Sequence, residues 1–137
     1  MPTLQLKVAP LRNPATYQAL AHALTQLTAL HLGKRQEVTA VIIEDLPLAQ
    51  WYIAGQAVQG ATALLEISIT LGTNTPAQKA AFIAATFAEL ERQVGDGRPL
   101  AQASYVIVRE VPAGDWGYGG ITQAARKQLQ AQVPVAA

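Results

Sequence analysis

The 137-residue sequence has no cysteine, and charged residues make up only 14% of it. The first absence removes disulfides and the thiolate zinc frameworks as ways of holding a small fold together. The second falls well short of the roughly one quarter found in an average domain, while hydrophobic residues reach 50%. So little charge cannot wet a whole surface, and part of that surface is expected to be covered by other subunits. Basic runs are missing as well. Ten Lys and Arg against nine Asp and Glu leave a net charge of +1, which argues against nucleic acid as a partner, since its phosphates require clustered cations. No stretch is suited to a bilayer, because the most apolar one, ATALLEISITL, is short and carries Glu66. The opening MPTLQLKV lacks the apolar region of a signal peptide. A cytoplasmic protein without membrane association is therefore expected. His22 and His31, nine residues apart in a helical stretch, do not share a face as metal ligands would, and no metal or cofactor is expected.

What the sequence does have is the glycine-rich stretch PAGDWGYGG at residues 112–120. A dinucleotide fingerprint would need Gly-x-Gly-x-x-Gly between strand and helix, and Gly114, Gly117, Gly119 and Gly120 do not supply that spacing. The stretch instead has a partner. PLAQWYIAG at 47–55 matches it through Pro47/Pro112, Trp51/Trp116 and Gly55/Gly120, at an offset of 65 residues. VIIEDL pairs with VIVREV upstream, and NPAT pairs with TPAQ at an offset of 62. The chain reads as a tandem duplication with one small insertion near GDGRP, and both glycine-rich stretches read as hairpin turns.

Each copy predicts strand, helix, strand, turn. LQLKV and LLEISITL open the copies with branched apolar residues suited to strands. Asn13 and Thr75 are good helix N-caps, each followed by Pro at the first helical position, where a missing N–H costs nothing. The helices run through ATYQALAHALTQLTALHL and AQKAAFIAATFAELERQV, with Gly33 and Gly95 at the positions of left-handed C-caps. VTAVIIE and YVIVREV follow as strands covered by helices on one face and by other subunits on the other. A strand-helix-strand unit of this length is a right-handed parallel crossover. The expected fold is α/β, a tandem β-α-β duplication in one domain spanning 1–137, with repeats at 2–56 and 64–121 linked by AVQGATA. Its two helices lie on one face of a four-stranded mixed sheet.

Pro at position 2, the β-α-β halves and the aromatic glycine-rich hairpins together resemble the tautomerase superfamily. LGTNTPAQK…VREVPAGDWGYGG resembles the short 4-oxalocrotonate tautomerase subunit, and so does the first half, so that nearly the whole chain is similar to a fused, double-length 4-oxalocrotonate tautomerase. The resemblance implies cofactor-independent tautomerisation of enol or unsaturated 2-oxo acids by a homotrimer. Pro2, freed by removal of Met1, would be the catalytic base. A terminal secondary amine whose pKa is lowered by desolvation or a nearby cation is neutral near pH 7 and can take a proton. Arg12, in VAPLRNP, matches the arginine that binds the substrate carboxylate, with a bidentate fork suited to it. Trp51 and Trp116 both match the active-site aromatic that excludes water.

The departures from the family pattern carry equal weight. Leu64 stands where the second copy would have its proline, so one catalytic proline remains per chain. Ala40 and Tyr105 occupy the place of a further substrate-binding arginine. Arg109, four residues along the same strand as Tyr105, is the candidate replacement, and Tyr105 itself stays a candidate for contact with substrate. Lys7 and Arg35 read as surface charges. The dehalogenase and decarboxylase branches would open the second half with an arginine pair. Gly72 and Asn74 stand there instead, which leaves Asn74 as a substrate-binding candidate and hydratase or dehalogenase chemistry as the runner-up. A non-catalytic oligomer that binds a small acid, as with macrophage migration inhibitory factor, is the alternative from another class.

Overall fold

The computed structural model describes residues 2–132. Met1 and residues 133–137, which belong to the expected single domain, lie outside the described residues. Strand β1 (Thr3–Ala9) leads into helix α1 (Pro14–Leu32) and strand β2 (Ala40–Asp45), and a small hairpin follows, β3 (Tyr52–Ile53) with β4 (Gln56–Ala57). The second copy repeats the order as β5 (Thr62–Thr70), α2 (Pro76–Gln93), β6 (Tyr105–Val111) and the hairpin β7 (Gly117–Tyr118) with β8 (Ile121–Thr122). The four long strands form one sheet in the order β2-β1-β5-β6. The outer pairs are parallel and the central pair β1-β5 is antiparallel. This is the expected mixed sheet, with the two copies related by a pseudo-twofold axis between β1 and β5.

The alternation along β1 explains the core. Leu4, Leu6 and Val8 are buried while Gln5 and Lys7 between them are exposed, the period-two pattern of a strand with one covered face. On β5, Ala63, Leu65, Ile67 and Ile69 are buried on that same side. Helix α1 meets them with Leu20, Leu24, Thr28 and Leu32, four residues apart, and α2 meets them with Phe82, Thr86 and Leu90. Full burial of each large apolar side chain contributes about 1.5–3 kcal/mol, so these stripes fix both helices on one face. The other face of the sheet stays open, with Ile42 and Tyr105 more than half exposed or nearly so, at 50% and 59%.

The helix starts fall where the caps place them. Asn13 accepts from the Thr16 N–H, and Thr75 forms a reciprocal capping box with Gln78. Gly33 takes the left-handed cap at φ 68°. Gly95 does not, contrary to expectation. Helix α2 closes through Val94 in the right-handed region, and the left-handed residues are Asp96 and Gly97, at φ 52° and 79°. A Cβ on Gly95 would lie 2.3 Å from the Arg98 carbonyl oxygen and 2.8 Å from that of Glu91. Close backbone approach, not backbone handedness, requires glycine there.

Three further differences concern boundaries. A third helix, α3 (Gln123–Gln132), follows the second hairpin, where two helices were expected. Strand β5 begins at Thr62, inside the stretch read as linker, because Thr62 and Ala63 already pair with Ala9 and Val8. The alternation of buried residues also aligns Pro2 with Ala63 rather than with Leu64, since Leu4 and Leu6 then match Leu65 and Ile67 on the helix face. Either counterpart is an internal residue without a free amine.

Candidate active site

The sheet has two ends, and they differ in chemistry. Strands β1 and β2 start at one end while β5 and β6 finish there, which brings together Pro2, the C-terminus of α1, the N-terminus of α2 and the β7-β8 hairpin. Pro2 is buried. Its carbonyl accepts from the Ala40 N–H at 3.2 Å, and the register of Thr3 with Ser68 sets Pro2 beside Ile69. One residue further along β5, the Thr70 hydroxyl accepts from the Trp116 indole at 3.2 Å. The hairpin that follows turns through Gly119 and Gly120, both at positive φ, as a two-residue turn between right-twisted strands requires. PAGDWGYGG is thus a hairpin that projects from the Pro2 end and holds Trp116 against the last residue of β5. Asn74 is at this end too, donating to the Leu32 carbonyl at 3.0 Å and so tying the α2 N-terminus to the end of α1.

A cavity of about 470 Å³ opens beside Thr70, within the size range of small-molecule sites. Lys34, Arg35, Tyr118, Arg126 and Lys127 line it, and no acidic side chain does. Lys34 donates to the Thr73 hydroxyl at 2.9 Å, and burial holds its pKa below that of an ordinary lysine. The Arg126 guanidinium stacks 3.7 Å from the centre of the Tyr118 ring and donates to the Tyr118 carbonyl. Arg35 shares its charge with Glu37 at 3.1 Å. Among the described residues, Lys34, Arg126 and Lys127 form no ion pair.

The remaining sequence-predicted residues lie elsewhere. Arg12 follows the far end of β1, about 23 Å of strand away from Pro2 for seven residues at 3.3 Å each. There its backbone N–H donates to the Tyr17 hydroxyl at 2.7 Å, its guanidinium donates to the Val94 carbonyl at the end of α2, and Asp96 stands 3.8 Å away. Trp51 precedes the β3-β4 hairpin at the same far end, and Tyr105 opens β6 there. Arg109 lies on the open face of the sheet and pairs with Glu66 at 3.0 Å. Within one chain, then, Pro2, Trp116 and Asn74 share an end, whereas Arg12, Trp51 and Tyr105 share the opposite one. Sequence reasoning passed over Lys34, Arg126 and Lys127. The one available signal was QAARKQLQAQ, a basic helical segment directly after a hairpin.

Comparison with known proteins agrees with this architecture. The tautomerase enzyme family model matches residues 2–60, which is the first repeat with part of the linker. Comparison of the sequence with curated proteins gives no significant match. Among solved structures, the Q0 fused 4-OT, a wild-type symmetric trimer, is 25% identical with a TM-score of 0.79, covering 90% of this chain and 98% of its own. A native fused 4-OT is 28% identical with a TM-score of 0.78, covering 90% and 97%. N1, a member of the cis-3-chloroacrylic acid dehalogenase family, shares the fold at 20% identity and a TM-score of 0.75, covering 96% and 92%. The first repeat therefore matches the tautomerase enzyme family, and the whole chain has the fold of the fused 4-oxalocrotonate tautomerases.

Proposed function

We propose that this protein is a cofactor-independent tautomerase of enol or unsaturated 2-oxo acids, working as a cytoplasmic homotrimer with Pro2 as its base. The observation that carries the reading is the position of Pro2, buried at the start of β1 at the end of the sheet that also holds Trp116 and three cations, Lys34, Arg126 and Lys127, that form no ion pair among the described residues. In the sequence as written the nitrogen of Pro2 is an amide; loss of Met1 turns it into a secondary amine. A free α-amine has a pKa of roughly 7.7–8.0. Desolvation, and the positive charge of Lys34, Arg126 and Lys127 at the same end of the sheet, would both disfavour its protonated form, leaving a usable fraction neutral at pH 7. That amine removes a proton from carbon next to the substrate carbonyl and returns it to another carbon. Proton transfer of this kind accounts for about 10² to 10⁴ in rate, and electrostatic stabilisation of the dienolate supplies the remainder.

Arg12 and Trp51 cannot reach Pro2 of their own chain, so their roles require a neighbouring subunit. The open sheet face, with Ile42 and Tyr105 exposed, is the surface such an assembly would cover, and the trimeric state of the Q0 fused 4-OT supports three subunits. In that arrangement Arg12 of one chain clamps the carboxylate of an acid whose reacting carbon lies at Pro2 of the next, with Trp116 as the wall that excludes water. Ketonisation of phenylenolpyruvate and 2-hydroxymuconate by the Met-processed protein tests this. Acceleration of at least 100-fold over buffer is expected, falling to near the buffer rate for Pro2→Ala. Equal rates for the wild type and Pro2→Ala contradict it.

A further inference from the structure

We infer that Asp96, in the GDGRP insertion, is a resident carboxylate that competes with the substrate carboxylate for Arg12, so that the insertion sets how readily the site accepts an acid. The inference rests on the proposed role of Arg12 and adds a residue that tunes it.

Comparison of the two copies shows what Arg12 has to spare. At the 62-residue offset that relates the helices, Arg12 corresponds to Asn74 and Val94 to Leu32. Both pairs are joined in the same way. The Asn74 amide donates to the Leu32 carbonyl at 3.0 Å, and the Arg12 guanidinium donates to the Val94 carbonyl. Each copy thus lends, from the loop ahead of its helix, a donor to a carbonyl at the end of the other helix. Asn74 does this with a neutral N–H, so capping accounts for neither the charge of Arg12 nor its remaining donors. The Arg12 Nε is buried with no acceptor among the described residues, and Nη1 lies 3.8 Å from the Asp96 carboxylate.

The same offset sets Asp96 against Lys34, so the charge near the capping residue is reversed between the two ends. The backbone fixes the position of Asp96. Gly95 has no room for a Cβ, Asp96 and Gly97 are both left-handed, and the Gly97 and Arg98 N–H groups donate to the Glu91 and Gly95 carbonyls at 3.0 and 2.9 Å. Asp96 is thereby held at Arg12 while its side chain stays 78% exposed, within reach of a competitor. A cavity of about 470 Å³ opens there, with Arg12, Asp96 and Arg98 in its wall. Arg12 can serve an incoming carboxylate only by sharing or releasing Asp96. Each acid therefore binds more weakly by the worth of an exposed ion pair, about two- to fivefold.

The test is the affinity of crotonate and of neutral crotonamide for the full, Met-processed chain, measured by calorimetry, together with KM and kcat for ketonisation of phenylenolpyruvate. Asp96→Asn keeps the shape, tolerates the left-handed backbone and removes the charge. It should tighten crotonate and lower KM by about two- to fivefold, with kcat and crotonamide affinity unchanged. Asp96→Gly, also suited to φ 52°, should do the same. Glu89→Gln, which removes a carboxylate of α2 paired with Arg92, should not. The gain should vanish in an Arg12→Gln background, where a neutral amide can still cap Val94 as Asn74 caps Leu32. Unchanged crotonate affinity and KM in Asp96→Asn, or a gain that persists without Arg12 or extends to crotonamide, overturns the inference. The binding measurements need no turnover. An Arg12-dependent gain for crotonate in a protein that ketonises no enol acid leaves Asp96 as the competitor and removes the tautomerase reading. Turnover that depends on Pro2, with no change in Asp96→Asn, does the reverse.

Discussion

Arg12 donates to the Val94 carbonyl at the C-cap of α2 in its own chain, from a side chain only 22% exposed, and loss of that contact has a cost separate from any effect on substrate. Arg12→Ala should lower the unfolding free energy by about 1.5–3 kcal/mol, the worth of a charged hydrogen bond, as read by urea denaturation; unchanged stability would mean the guanidinium does not hold Val94. In the trimer proposed above, the same variant should weaken carboxylate-bearing enols more than neutral ones. A stability loss with equal losses on both substrates would confine Arg12 to its capping role. Pro2 could be proposed from the sequence because the family resemblance assigns its role to one position. The second role of Arg12 was not, since its partner is 82 residues away. Lys34 and Arg126 escaped for the same reason. Neither belongs to a motif, and they matter only because the fold brings the end of α1 and the start of α3 to one cavity.

At the scale of elements, Tyr17 fastens the loop after β1 to both α1 and β2. Its hydroxyl donates to Asp45 and accepts from the Arg12 N–H. Burial first, and then the hydrogen bond to Asp45, raises its pKa above 10.0. A raised acid keeps in the folded state a proton that the unfolded chain releases, so this contribution is complete below about pH 10 and is lost as pH rises beyond it. Unfolding free energies measured from pH 8 to 11 should therefore fall at the alkaline end. Tyr17→Phe should be less stable at pH 8 by about 2 kcal/mol and should show a smaller alkaline loss; an identical slope in both proteins would mean that another group sets it. Helices α1 and α2 were readable from Asn13-Pro14 and Thr75-Pro76, because capping is local chemistry. Helix α3 was not, because QAARKQLQAQ buries nothing and leaves no apolar stripe to detect. The start of β5 was misplaced because AVQGATA reads as linker until Val8 and Ala9 are there to pair with it.

For the whole molecule, duplication makes the two ends of the sheet alike in backbone and unlike in chemistry. One end has Pro2, and its counterpart has Ala63 inside the chain. A trimer of such chains has six ends of this kind and three with a proline, so the proposed account gives three working sites rather than six. The repeat and its mixed sheet were visible in the sequence from paired Trp, Pro and Gly positions. The separation of Pro2 from Arg12 was not, because it follows from the direction of β1, and only the register between β1 and β5 shows which hairpin comes to which end. The central claim is that one processed proline per chain does the chemistry, and mass spectrometry of protein treated with an alkylating 2-oxo acid tests it most directly. The account predicts an intact mass short of one Met before treatment and one label per chain after it, all on the peptide beginning at Pro2, with activity falling to zero in proportion. Full activity in protein that retains Met1, stoichiometric label in the second half, or activity surviving complete modification of Pro2 would contradict it.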